Sequence, residues 1–216
     1  RNIFIDEKDR FRFIHNLFEF NDEKPVSWSY RENLSNSAGS DPEELEKKER
    51  ETRKLLVEIL AFCLMTNHFH LVLRQLKEKG ISEFMKKING GYAVYFNQKY
   101  DRSGHLFQGR FRAIHIKTNN QLKHIFVYVH ANPFEFIEPG WKEEGIKSPE
   151  EALRFIENYR WSSYLDYIGK KNLPSITSRE FLSRILGEKR GCRQDMRNWV
   201  LYKGEIEKLL KEMALE

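Results

Sequence analysis

Cysteine is nearly absent. Cys63 and Cys192 are the only two in 216 residues, too few for a disulfide framework or an all-cysteine metal site. They fit a reducing compartment, so the expected location is cytoplasmic. Long apolar runs are missing too. The longest is Ile59–Met65, whereas a membrane span needs roughly 20 residues, so no helix is expected to cross a bilayer. No signal peptide is expected to open the chain, which shows no internal repeat or low-complexity tract and no glycine-rich loop of the kind that cradles a nucleotide phosphate. The chain begins at Arg1 rather than Met, and a preceding N-terminal segment is expected. Acids are scarce in one long stretch. From Lys86 to Lys117, Asp101 stands alone against Lys86, Lys87, Lys99, Arg102, Arg110, Arg112 and Lys117.

The composition supports a core. Hydrophobic residues make up 40% of the chain and aromatics 13%, which excludes wholesale disorder. The length suits one domain, or one with an appendage. The net charge of +5 says little alone, but its distribution says more. Tyr92, Tyr95, Phe96, Tyr100, Phe107 and Phe111 lie among the cations of the 86–117 stretch. Flat rings interleaved with positive charge suit a phosphate backbone carrying stackable bases. The same pattern also describes a solvated helix face above ordinary core aromatics.

Periodicity predicts a helix over Asp6–Phe20, with Phe11, Ile14, Leu17 and Phe18 on one face and Asp6 or Asp9 as its cap. A turn-rich connection from Asn21 to Asp41 leads into a charge-dense run, Pro42–Lys54, read as exposed and either helical or mobile. The apolar runs Leu56–Met65 and His68–Leu73 flank Thr66-Asn67 and read as a β-hairpin. A helix follows over Ile81–Lys99, interrupted in pattern by Gly90-Gly91, then a loop over Asp101–Gly109 and a strand over Arg110–Lys117. Thr118 caps a helix that Pro133 should end at Asn132, because the residue before a proline is pushed out of helical geometry. A further helix follows Ser148, with Leu153 and Ile156 inward. Phe181, Ile185, Leu186, Val200, Ile206, Leu209 and Leu210 mark a helical tail. This order implies an α+β fold, an antiparallel sheet with helices on one face, divided as residues 1–168 and a helical C-terminal extension, 169–216. A strand before Asp6 would complete a split βαβ pattern, and only Asn2–Ile5 remains to form it.

Two features carry chemistry. His68 and His70 alternate with Phe69 and Leu71, so both imidazoles point to one face of a strand and can chelate one divalent ion, while Phe69, Leu71 and Leu73 anchor the other face in the core. A pair of surface histidines has the same spacing. On the Thr118 helix, Leu122, Ile125, Phe126 and Val129 form the apolar face, and Gln121, His124, Tyr128 and Asn132 a polar stripe. Tyr128 and Asn132 stand one turn apart, so phenol and amide project to the same side. A phenol beside a metal-held phosphate can act as a nucleophile, and an amide oxygen is a suitable third ligand for a hard ion. A boundary tyrosine with a packed ring and a wet hydroxyl fits as well. The stretch Arg102–Arg112 holds three arginines, two glycines and His105, with no acid, as phosphate contact demands; a glycine-rich turn beside a charged strand edge looks the same. Trp161-Ser162-Ser163-Tyr164 reads as a helix start or turn packed by its tryptophan. Cys63 reads as core.

Met65-Thr66-Asn67-His68-Phe69-His70-Leu71-Val72-Leu73 resembles the His-hydrophobic-His signature of the HUH endonucleases. Ser103-Gly104-His105-Leu106-Phe107-Gln108-Gly109-Arg110-Phe111 and Tyr128-Val129-His130-Ala131-Asn132-Pro133 resemble, in order and spacing, later motifs of the REP-associated tyrosine transposases, members of the single-tyrosine superfamily. Trp161-Ser162-Ser163-Tyr164 resembles the segment that closes that domain. The resemblance covers about residues 1–168 and implies a ferredoxin-like fold that cuts and rejoins single-stranded DNA at palindromic hairpins. It implies Tyr128 as the nucleophile, His68, His70 and Asn132 as ligands of Mg²⁺ or Mn²⁺, and a 5′-phosphotyrosine intermediate. Candidate DNA contacts are Arg102, Arg110 and Arg112, then His105 and Arg74. The chain departs from the family in lacking the usual first strand, and its 21–54 segment and tail match no family feature. The expected assembly is a monomer or homodimer. Two other readings remain open: a hairpin-binding protein for DNA or RNA without turnover, and a metal-dependent phosphodiesterase that activates water.

Overall fold

The two apolar runs flanking Thr66-Asn67 pair as an antiparallel hairpin in the computed structural model, which describes residues 1–24 and 53–213, with side chains as far as Tyr202. The connection predicted over 25–41 and the charged run over 42–52 lie outside the described residues. Strand β1 spans Val57–Leu64 and β2 spans Phe69–Gln75. The Met65 N–H donates to the His68 carbonyl at 2.9 Å, closing a two-residue turn on Thr66 and Asn67. Every β1 residue except Glu58 is buried, as an apolar run covered on both faces requires. In β2 the buried residue is Val72, while Phe69, Leu71 and Leu73 are half-buried. Val72, on the face that carries His70, joins the helical core.

Two expected strands are absent among the described residues. Asn2–Ile5 forms no ladder. Its Ile3 and Phe4 N–H groups instead donate to one acceptor, the Thr66 carbonyl, at 2.9 and 3.0 Å, and both side chains are buried. Arg110–Lys117 is irregular. Alternation makes a strand only where one face is buried, and residues 110–115 are all exposed, Ile114 at 76%. The α+β class stands, with a two-stranded sheet and eight α-helices among the described residues.

The chain folds into two compact units: residues 1–5, 59–72 and 112–216, and residues 6–58 and 73–111. The second unit holds α1 (Glu7–Glu19) and α2 (Gly80–Lys99). Asp6 and Asp9 form a reciprocal capping box at the start of α1: the Asp9 N–H donates to Asp6 Oδ1 at 2.9 Å, and the Asp6 N–H to Asp9 Oδ2 at 3.2 Å. Phe13, Ile14 and Leu17 are buried and Phe11 is 43% exposed, so the inward face is turned from the one expected. Asp9 explains the turn. It is fully buried and bound by Lys99 Nζ at 2.6 Å, Tyr100 Oη at 2.8 Å and Tyr95 Oη at 3.1 Å, which brings its own face of α1 inward. Gly90-Gly91 does not interrupt α2. A Cβ on Gly91 would lie 2.2 Å from the Phe20 ring, so the missing side chain makes room for that ring.

The first unit surrounds the hairpin with α3 (Asn119–Ala131), a 3₁₀ turn (Asn132–Phe136), α4 (Trp141–Glu144), α5 (Pro149–Ile156), α6 (Tyr164–Tyr167), α7 (Arg179–Leu186) and α8 (Glu188–Met213). Leu182, Leu186, Cys192, Met196 and Val200 from the last two helices join Leu122, Phe126 and Val129 of α3 in one core. The expected Ile206, Leu209 and Leu210 contacts lie outside the described side chains. Burial pushes the Cys63 thiol up, as a core cysteine requires. No helix among the described residues is long and apolar enough to cross a membrane.

Candidate active site

The tight turn fixes His68 just before β2, and the strand places His70 two residues on. Their Nε2 atoms approach to 3.1 Å, with the rings edge to face. Two nitrogens held at right angles about 2.1 Å from one ion would lie roughly 3 Å apart, so the pair fits adjacent positions of a single cation. Asn67 Oδ1 lies 2.6 Å from His68 Nδ1. With the ring proton on Nδ1 donated to Asn67, the Nε2 lone pair is left for a ligand. Burial and the charge of Lys142 lower the His68 pKa. Burial, the neighbouring His68 and Lys142 push His70 down to about 4, opposed by a hydrogen bond with Asn132. Both rings are therefore neutral near pH 7, the form that ligates a metal.

Thr118 caps α3 by accepting the Gln121 N–H at 3.1 Å. The helix carries Tyr128 to the histidines: the His70 and Tyr128 ring centroids are 6.0 Å apart at 81°, and Tyr128 is 41% exposed. Asn132 keeps right-handed helical geometry, φ −51° and ψ −37°, although Pro133 follows. The α-helix nevertheless ends at Ala131, as expected, and the chain continues as the 3₁₀ turn from Asn132. Asn132 Nδ2 donates to the Tyr128 carbonyl at 2.7 Å and lies 3.5 Å from the Val129 carbonyl, the acceptor that Pro133 cannot serve. This leaves Oδ1 toward His70 and Lys142. The structure thus brings His68, His70, Tyr128 and Asn132 together. Among the described residues no group of three or more His, Cys, Asp or Glu side chains could hold a metal ion.

The sequence pattern gives no role to two participants, Lys142 and His130. Lys142 Nζ donates to Asn132 Oδ1 at 3.2 Å and lies 5.6 Å from the Tyr128 ring centroid. It sits ten residues past Asn132 in a turn that nothing in the pattern ties to α3. His130 is fully buried and links the tyrosine helix to β1. Its Nδ1 bonds the Phe126 carbonyl and its Nε2 bonds Ser163 Oγ, each at 2.8 Å. Ser163 Oγ accepts the Phe62 N–H at 3.0 Å, and the Ser163 N–H donates to the Phe62 carbonyl at 3.0 Å. Leu64 N–H donates to the Trp161 carbonyl at 2.9 Å, so Trp161–Ser163 pairs antiparallel with β1. Burial pushes His130 down to about 3, against its hydrogen bond to Phe126, so it is a neutral structural ring.

Of the candidate phosphate contacts, Arg112 belongs to the first unit, and Arg74, Arg102, His105 and Arg110 to the second. Arg110, Arg112 and His105 are exposed. Arg102 is half-buried, its guanidinium 5.6 Å from the Phe96 ring centroid, and Arg74 pairs with Glu58. His124 is exposed, and Gln121 Oε1 accepts the Lys117 N–H at 2.8 Å.

No curated protein and no solved structure matches the chain. A family model does: residues 26–132 match that of the IS200-like transposases, so the part of the chain that carries His68, His70, Tyr128 and Asn132, just under half of it, is similar to that family.

Proposed function

We propose that this protein cuts and rejoins single-stranded DNA through a covalent bond to Tyr128, acting on hairpin-forming repeats as REP-associated transposases do. The observation that carries the reading is the 6.0 Å between the Tyr128 and His70 rings, inside a segment similar to transposases. His68 and His70 would hold Mg²⁺ or Mn²⁺ through neutral Nε2 atoms, with the Asn132 amide oxygen as third ligand. When bound, the ion supplies positive charge to a non-bridging phosphate oxygen and orients the phosphate.

The protein's own groups do the rest. Asn67 fixes the His68 ring by its 2.6 Å contact. The partial exposure of Tyr128 leaves its phenol accessible to a strand. The phenol oxygen forms a bond to phosphorus and gives its proton to water. The bond from phosphorus to the 3′-oxygen breaks, and that oxygen takes a proton from water and leaves as a 3′-hydroxyl. The downstream strand stays on Tyr128 through its 5′-phosphate. Attack by a 3′-hydroxyl reverses these changes and joins strands without ATP. The exposed Arg110 and Arg112 supply backbone contacts, with Arg102, His105 and Arg74 as further candidates.

The test uses a single-stranded hairpin oligonucleotide labelled downstream of the cut, incubated with Mn²⁺. A labelled covalent adduct is expected with the native chain and none with Tyr128→Phe. Cleavage without any adduct, unchanged in Tyr128→Phe, would establish the water-activating phosphodiesterase instead. Tight hairpin binding with no metal-dependent cleavage would leave a binding protein.

A further inference from the structure

The Lys142 ammonium sits where a catalytic cation is expected, and its placement is built in. It extends from α4, a single turn that begins at Gly140 (φ +84°) and is anchored by the adjoining Trp141. Trp141 is buried, edge to face with Phe134 at 5.9 Å and with Trp199 at 5.2 Å. The Trp141 N–H donates to the Glu138 carbonyl and the Gly145 N–H to the Trp141 carbonyl, at 3.1 and 3.0 Å. From this base Lys142 reaches Asn132 Oδ1 at 3.2 Å, beside the Tyr128 ring.

We propose that Lys142 is a resident cation of this site, holding the Asn132 carbonyl oxygen until a divalent ion displaces it and then binding a phosphate oxygen of the DNA strand. The inference rests on the metal-site reading above. An ammonium and a divalent ion that share one amide oxygen repel each other across a few ångströms, well within the screening length of about 8 Å at physiological salt. A phosphate brought by DNA offers the ammonium a new partner and removes that repulsion. Metal and DNA then bind with positive coupling, and the chain alone is a poor metal binder.

The experiment titrates the full chain with Mn²⁺ without DNA and counts free ion by electron paramagnetic resonance, so that no activity is read. Lys142 is exposed, so its substitution leaves no cavity, and circular dichroism checks the fold. Lys142→Met is expected to bind Mn²⁺ about tenfold more tightly than the native chain, and Lys142→Arg, which keeps the charge, to stay near native. A single-stranded oligonucleotide with a non-cleavable linkage is expected to tighten Mn²⁺ binding to the native chain more than to Lys142→Met. His70→Ala separates the two readings. If His70→Ala loses Mn²⁺ while Lys142→Met binds it no more tightly than native, the metal site stands and the role of Lys142 is overturned. If His70→Ala binds like native, or no form binds Mn²⁺ with or without DNA, the metal site falls and this inference with it.

Discussion

Ser163→Ala removes one hydroxyl from the link between the tyrosine helix and β1, and the structure sets its cost. Ser163 Oγ is the acceptor for the Phe62 N–H at 3.0 Å and a partner of His130 Nε2 at 2.8 Å. Both Ser163 and His130 are fully buried, as is Phe62, so water cannot replace the lost group. Two buried polar atoms are left unpaired, at about 1–3 kcal/mol each before relaxation, so the expected loss of stability is about 3 kcal/mol. Urea denaturation followed by tryptophan fluorescence reads it as a lower midpoint at unchanged slope. Ser163→Thr, which keeps the hydroxyl, should lose less. The same network holds α3 two residues beyond Tyr128, so in conditions where Ser163→Ala remains folded its rate of adduct formation should fall more than its DNA affinity. A stability loss under about 0.5 kcal/mol would refute the reasoning, because it would mean that these buried groups find other partners at no cost.

Other expectations follow from the same residues. His130 is held neutral, with its folded pKa near 3 against an ordinary value near 6.5. The unfolded chain therefore takes up a proton that the folded chain refuses. Stability from this group is complete above about pH 6.5 and falls by about 1 kcal/mol per pH unit as the pH drops toward 3. His130→Gln should flatten that slope in urea midpoints taken at pH 7, 6 and 5, and an identical slope in the variant would remove His130 as its source. In the second unit, Asp6 and Asp9 hold the Lys99 ammonium above its usual range against the opposing loss of water. Asp9→Asn, which leaves Lys99 its contact with Asp6, should cost about 3 kcal/mol in urea denaturation, the order of breaking a buried pair; a change below about 1 kcal/mol would show the network to be solvated.

Much of the site was legible because its chemistry depends on local spacing. Alternation in the hairpin put His68 and His70 on one face, and the helical step of four put Tyr128 and Asn132 on another, with Thr118 marking the helix start. What the sequence did not disclose depends on partners far along the chain. Lys142 reaches the site only because Trp141 packs between Phe134 and Trp199. His130 and Ser163 are 33 residues apart, and neither local pattern points to the other. The strand expected at Arg110–Lys117 is absent because alternation records a face that could be buried, and here residues 110–115 are all exposed and only Ile116 packs against the core. Pro133 ends the α-helix as expected, but Asn132 keeps helical geometry as the start of the 3₁₀ turn, its side chain on the Tyr128 carbonyl, a detail visible only with the carbonyls in place. In α1 the inward face was misjudged because the buried anchor is a carboxylate, Asp9, which hydropathy places outside.

The most direct measurement is tandem mass spectrometry of protein digested after trapping with a single-stranded hairpin substrate and Mn²⁺. The account predicts one modified peptide, with a 5′-phosphorylated nucleotide on Tyr128. A nucleotide on any other side chain, or a cleaved substrate with every peptide unmodified, would contradict it.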